Sequence, residues 1–188
     1  MPKIAGDAAE REGVVAAAKS MAIAARTAPK ARGLDAIETL ILYGDELETL
    51  AEAMVKHGKR SVVADMFKRD ADSVRKSHAV LLVGLKDLNP KKMEFPFDCG
   101  ACGFVKCSHF LKHEKNEGID FPGPTCLFQA MDLGIAISSA CSVAARFHID
   151  NRLMYSIGGA ARTLRWMESQ IIIGIPLSST GKNIFFDR

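Results

Sequence analysis

Three of the chain's five cysteines fall in the short stretch DCGACGFVKC, as Cys99, Cys102 and Cys107, and a fourth, Cys126, follows directly behind Gly123-Pro124-Thr125. The spacing is C-x2-C-x4-C, then eighteen intervening residues before the last thiol. Four thiolates are the usual shell of an iron–sulfur cluster, and three from one loop with one from the mouth of a helix can build it. Four cysteines also make a structural zinc shell, whose usual half-site is C-x2-C. Such a zinc site normally shows two short cysteine pairs, whereas here the second pair is replaced by the solitary Cys107 and Cys126. Gly100 and Gly103 can take positive φ and turn backbone N–H groups inward, an arrangement that suits the sulfides of a cluster. The reading is therefore a 4Fe-4S cluster on Cys99, Cys102, Cys107 and Cys126, with zinc as the alternative metal. Lys106, Lys112 and the start of the following helix would supply positive charge to an anionic cluster.

His109 and His113 stand one helical turn apart beside these thiols and are read as solvated side chains rather than ligands. Cys141 lies in a run of small residues and is read as a buried, inert thiol. An odd number of cysteines, with no apolar export segment in MPKIAGDAAEREG, argues for reduced thiols and a cytoplasmic setting.

The elements that must position this loop follow from periodicity. Val14, Val15, Ala18, Met21, Ala22 and Ala25 recur at helical spacing, predicting an amphipathic helix over Ala8 to Arg26 that Pro29 and Gly33 stop. Ile37 to Tyr43 reads as a strand. Asp45 and Glu48 predict a capping box opening a helix that runs to about Lys56, and a third helix is expected from Ser61 to Lys76. AVLLVGL reads as a buried strand. From residue 94 to residue 128 prolines, glycines, charges and cysteines replace any periodic pattern, as expected for an inserted segment ordered by a metal. SHFLKHEK within it suggests a short helix. Pro124 is expected in the first turn of a long helix through CLFQAMDLGIAISSACSVAARF, the central helix of the fold or the seam of a homodimer. RLMYSI and QIIIGIPL read as two strands around a short helix at Ala160 to Met167. Helices and strands mixed without βαβ alternation predict an α+β fold, a mixed or antiparallel sheet flanked by helices in one domain over residues 1–188.

Composition narrows the partners. A net charge of +3 is dispersed, with basic residues at Arg26 to Arg32, Lys56 to Arg60 and Lys91 to Lys92 read as a solvated surface, which excludes a nucleic-acid stripe. The apolar runs are broken by Ser138, Ser139 and Arg146, so no membrane partner is expected.

CGACGFVKCSHFLKHEKNEG…GPTC resembles the 4Fe-4S domain found in electron-transfer complex subunits and corrinoid iron–sulfur proteins. The whole chain, through ARTAPKARGLD, MDLGIAIS, IDNRLMYSIGGAAR and IPLSSTGKNIFFDR, is similar to a family of uncharacterised ferredoxin-domain-containing proteins. That resemblance implies a cluster and no particular substrate. AARTAPKARG, AVLLVGL and MDLGIAISSACSVAARFHI also resemble, in order, segments of flavin-dependent nitroreductases, which implies their fold, a homodimer and FMN near the Ala-Pro loop. Where that family has Ser after Ala-Pro this chain has Lys30, and Gly33 replaces its Asn. Under this resemblance Lys30, Arg32 and Lys182 would meet the flavin phosphate.

Three functions compete. The first is a 4Fe-4S redox protein passing single electrons to a partner protein or a small-molecule acceptor. The second is a nitroreductase-like flavin reductase fed by the cluster. The third is a zinc-stabilised interaction module with no redox role. No acid/base pair, Ser-His-Asp order or phosphate-binding glycine loop favours hydrolysis or phosphoryl transfer.

Overall fold

The computed structural model describes residues 2–186. Its centre is strand β2, Ala79–Leu85, buried along its whole length, because it is covered on both faces and paired on both edges. β1 (Ile37–Tyr43) lies antiparallel on one side, Leu40 opposite Leu82. β6 (Ile171–Ser178) lies antiparallel on the other, Leu82 opposite Gly174, and the two-residue β5 (Asp150–Asn151) completes the order β1-β2-β6-β5.

The period of two in β2 sends Leu81, Val83 and Leu85 to one face and Val80 and Leu82 to the other. On the first face they meet α1 (Gly6–Thr27) through Val14, Ala18 and Met21, and α5 (Leu127–Arg146) through Leu133, Ala136 and Ala140. On the second they meet α2 (Glu46–Gly58), α3 (Ala64–Arg75) and α6 (Tyr155–Leu164), with Leu50, Met54, Phe67 and Ile157 as the largest plugs. The result is a three-layer α+β sandwich on an antiparallel sheet, as the pattern predicts. α6 lies close on β6: a Cβ on Gly158 would sit 1.6 Å from the carbonyl oxygen of Ile172, so only glycine fits.

Several local expectations are corrected. RLMYSI does not form a strand: Met154 makes one bridge to Gly174, and Tyr155 already opens α6, which ends at Leu164 rather than Met167. The reason is packing, since Ile157, Ala160 and Ala161 form a helical stripe buried on the sheet. Asp45 makes no side-chain cap, and Glu48 turns away to Arg75 at 3.0 Å. α3 begins at Ala64, because the Ser61 hydroxyl accepts from the Val63 N–H at 3.2 Å and holds the preceding turn. Pro124 lies before the long helix, in a cis peptide after Gly123, and Cys126 is the N-cap residue. α5 is, among the described residues, the helix long and apolar enough to cross a bilayer, contrary to the reading of its polar interruptions. One face of it packs into the core against α1 and β2, while Leu127, Met131 and Ile135 stay exposed.

Between β2 and α5 the chain carries little regular structure: α4 (Cys107–Lys112) and a small hairpin of β3 (Asn116–Glu117) and β4 (Pro122–Gly123). A part-buried carboxylate, Asp120, ties the hairpin to the body. Asp120 accepts from Tyr155 and stands 2.6 Å from Nε2 of buried His57, while the Arg162 guanidinium donates to the Asp120 carbonyl at 3.0 Å.

Candidate metal centre

The cysteine loop is shaped by backbone that only a few residues tolerate. Asp98, Gly100 and Gly103 have φ of 45°, 75° and 87°, and the Gly103 N–H donates to the Gly100 carbonyl at 2.9 Å to close a tight turn. No atom outside the adjoining chain lies within 4 Å of where a Cβ would stand at Gly100 or Gly103, so conformation, not crowding, selects glycine there. The loop is tied at its ends, because the Cys107 N–H donates to the Asp98 carboxylate at 2.7 Å. Cys107 then opens α4, whose Phe110 is buried with Phe104 edge-on to it at 5.7 Å.

Cys126 comes from the other side. Its N–H donates to the Leu88 carbonyl at 2.9 Å, and its own carbonyl accepts the first helical bonds of α5 from Gln129 and Ala130. Cys99, Cys102, Cys107 and Cys126 line one cavity, together with Ala31, Lys91, Phe97 and Phe128. Cys107 and Cys126 are buried, Cys102 half-buried and Cys99 exposed, and all five cysteines are free thiols. Burial pushes the Cys107 thiol up, with the charges of Asp98 and Cys126 adding to it and a hydrogen bond from the Asp98 backbone opposing. Burial likewise raises Cys141, away from this cavity, in keeping with an unreactive thiol.

Among the described residues no three cysteine, histidine, aspartate or glutamate side chains stand together as the shell of one ion. The four thiols are spread around the cavity walls, with about 20 Å³ of free space between them. His109 and His113 are exposed and outside the lining, and His113 packs its ring on Phe104 at 5.1 Å.

The wall of this cavity includes Lys91, one half of a buried ion pair that local sequence does not reveal. The ammonium of Lys91 contacts the Asp132 carboxylate and donates to the carbonyls of Leu34 (2.6 Å) and Ala31 (3.4 Å); both side chains are only 4% exposed. The other Asp132 oxygen accepts from the Ala31 N–H at 2.9 Å. One pair thus joins the approach to the cysteine segment, the 3-10 turn at Ala31–Gly33 and the second turn of α5. Lys91 is therefore not a solvated basic residue. Nothing in its neighbourhood pattern marks it, and only the fold brings Asp132 to it.

The structure does not bring Lys30, Arg32 and Lys182 together. The Lys30 ammonium folds onto the end of α1, donating to the carbonyls of Ala25 and Arg26, and is 7% exposed. Arg32 lies over the ring of Phe97 at 3.9 Å, and Phe97 in turn meets Phe128 at 4.8 Å, which clamps the 3-10 turn onto the cysteine loop. Lys182 lines a different cleft, beside α3.

The fold resembles solved flavin enzymes. The FMN-dependent nitroreductase NfnB from Mycobacterium smegmatis superposes with a TM-score of 0.56 over 89% of this chain and 78% of its own, at 14% identity. Nitroreductase A from Vibrio parahaemolyticus gives 0.53 over 89% of this chain at 13% identity, and this chain spans only 59% of its length. These superpositions show a shared nitroreductase-like fold. In sequence, an uncharacterised protein of Archaeoglobus fulgidus is 44% identical over 182 residues, covering 95% of this chain and 94% of its own. The family described as "Uncharacterized protein containing a ferredoxin domain (DUF2148)" matches residues 122–188, the part that holds Cys126, α5, α6 and β6. With a near full-length relative and this match, the chain belongs to the DUF2148 family of ferredoxin-domain-containing proteins.

Proposed function

We propose that the protein is an iron–sulfur redox protein in which Cys99, Cys102, Cys107 and Cys126 hold a 4Fe-4S cluster. The observation that carries this reading is that three thiols from one tied loop and one from the N-cap of α5 line a single cavity. When bound, the cluster supplies one-electron transfer.

The protein's residues do the rest. Asp98 holds the two ends of the loop together, and Lys91, neutralised by Asp132, anchors the cavity wall to the 3-10 turn and α5. Phe97, Phe104 and Phe128 keep the wall apolar. The outer side of the loop is open, since Cys99, Gly100 and Gly103 face solvent. A zinc shell would hold thiolates about 2.3 Å from one ion and about 3.8 Å from each other, and metal analysis separates it from a cluster. The exposed Cys99, with exposed Phe95 and Val105 nearby in sequence, gives a redox partner its approach. The exposed Leu127, Met131 and Ile135 of α5 support a homodimer through that helix.

A flavin-dependent, nitroreductase-like reductase fed by the cluster is the second reading, favoured by the fold shared with an FMN-dependent nitroreductase. One experiment addresses both. The protein is purified anaerobically and analysed for iron, sulfide, zinc and flavin, with spectra before and after dithionite. Four irons and four sulfides per chain are expected, with a visible band that bleaches on reduction. Cys126→Ala is expected to lose most of the iron. One zinc without iron, or full iron in Cys126→Ala, refutes the ligand assignment; flavin that survives desalting establishes the second reading.

A further inference from the structure

On the opposite side of the sheet from α5, α3 presents Arg69 and Ser73, with Lys76 at its C-cap, at positions i, i+4 and i+7 along one face. Facing them are Arg152, which precedes α6, and the C-terminal loop with Lys182, Asn183 and Phe185. These residues line a cleft of about 400 Å³, within the roughly 300–1,000 Å³ typical of small-molecule sites.

Asp70, Asp72 and Glu48, on or beside α3, are already engaged. Asp70 receives two bonds from Arg69, at 3.0 and 2.8 Å, and a third from the Ser156 hydroxyl at 2.5 Å. Asp72 and Glu48 both pair with Arg75, on another face of the helix. Lys76, Arg152 and Lys182 therefore face the cleft with no carboxylate partner among the described residues. Arg152 is held in place without being neutralised, since its guanidinium donates to the Phe185 carbonyl at 3.2 Å and lies over the Phe186 ring at 5.1 Å. The Asn183 side-chain oxygen accepts from the N–H groups of Phe185 (2.8 Å) and Phe186 (3.0 Å), which leaves its NH2 to donate outward. The Thr180 hydroxyl steadies the loop by donating to the Lys182 carbonyl at 2.6 Å. The cleft is thus lined by cations and by donors whose neighbouring acceptors are engaged, held by a loop that hydrogen-bonds itself into shape.

We propose that this cleft binds the phosphate groups of a small phosphorylated ligand, with Lys76 on one side and Arg152 and Lys182 on the other each taking a phosphoryl group. Guanidinium forks match phosphate oxygens two at a time, and lysine adds mobile charge. The site is separate from the cysteine cavity and does not depend on a metal being bound there.

Calorimetric titration of the intact protein with inorganic pyrophosphate and, separately, with ADP tests it. One saturable site is expected, weakened by added salt as charge recognition requires. Tighter binding of ADP identifies a nucleotide ligand; equal binding identifies the phosphoryl groups alone. The exposed pair Lys76→Ala/Lys182→Ala is expected to weaken binding at least tenfold, and Lys182→Glu further, with melting temperature and iron content unchanged. No saturable binding in the unaltered protein, or undiminished affinity in both variants, overturns the proposal. Because iron content is read in the same samples, failure here is distinguishable from failure of the cluster assignment.

Discussion

Removing the Asp132 carboxylate isolates the buried ion pair beside the cysteine cavity. In Asp132→Ala the Lys91 ammonium keeps two carbonyl acceptors but loses its counter-charge, and the Ala31 N–H loses its acceptor. Deleting one partner of a buried pair costs about 3–5 kcal/mol, because an uncompensated charge stays out of water. For a chain of this size each kcal/mol shifts the melting temperature by about 2–4 °C, so a loss of about 8–16 °C is expected near the middle of that range. Circular dichroism melts measure it directly. The double variant Lys91→Met/Asp132→Leu removes both charges at similar volume and should recover most of the loss, since an apolar pair needs no desolvation. Both variants should also loosen the 3-10 turn and the cysteine segment, lowering iron retained after chelator challenge. A fall of less than about 3 °C in Asp132→Ala, or a double variant less stable than the single one, refutes the claim that this pair organises the cavity wall.

Asp98→Ala removes the acceptor that ties the loop ends; a charged hydrogen bond is worth about 1.5–3 kcal/mol, so iron affinity by competition with a chelator should fall about tenfold or more. Unchanged affinity would exclude a closing role for Asp98. Gly158→Ala drives a Cβ into the backbone of β6 and should cost about 3 kcal/mol or prevent folding, read by urea denaturation; a wild-type midpoint would refute the close contact. The Tyr155 phenol is pushed up to about 12, by burial first, then by its bond to Asp120 and that carboxylate's charge. A raised pKa favours the neutral phenol in the folded state, so the stability it contributes is whole below about pH 10 and is lost as pH rises through about 12. With Tyr43→Phe leaving a single tyrosine, absorbance titration should show its transition near 12 and Asp120→Asn should lower it; a transition near 10 in the Asp120 parent would refute the contact.

Much of the layer structure is legible in the chain because it repeats locally. The stripe of Val14, Ala18 and Met21, and the run AVLLVGL, each state which face is buried before any partner is known. The misread elements are those where a single contact outweighs pattern: RLMYSI is apolar enough for a strand, yet Met154 pairs only once before the close approach of Gly158 to β6 favours helix. Asp45 and Glu48 have the spacing of a capping box, but Arg75 from another helix captures Glu48.

At the centre, the sequence by itself supplied the candidate donor set, since Cys99, Cys102, Cys107 and Cys126 with their glycines point to it through type and spacing. Only the tertiary structure decided what surrounds them. Lys91 and Asp132 are 41 residues apart and buried together, Arg32 reaches Phe97 across a layer, and Lys182 departs to a cleft of its own. The physical reason is range: thiols within one loop constrain each other through the chain, whereas a buried charge finds its partner only where the packing of distant elements leaves no water to take its place.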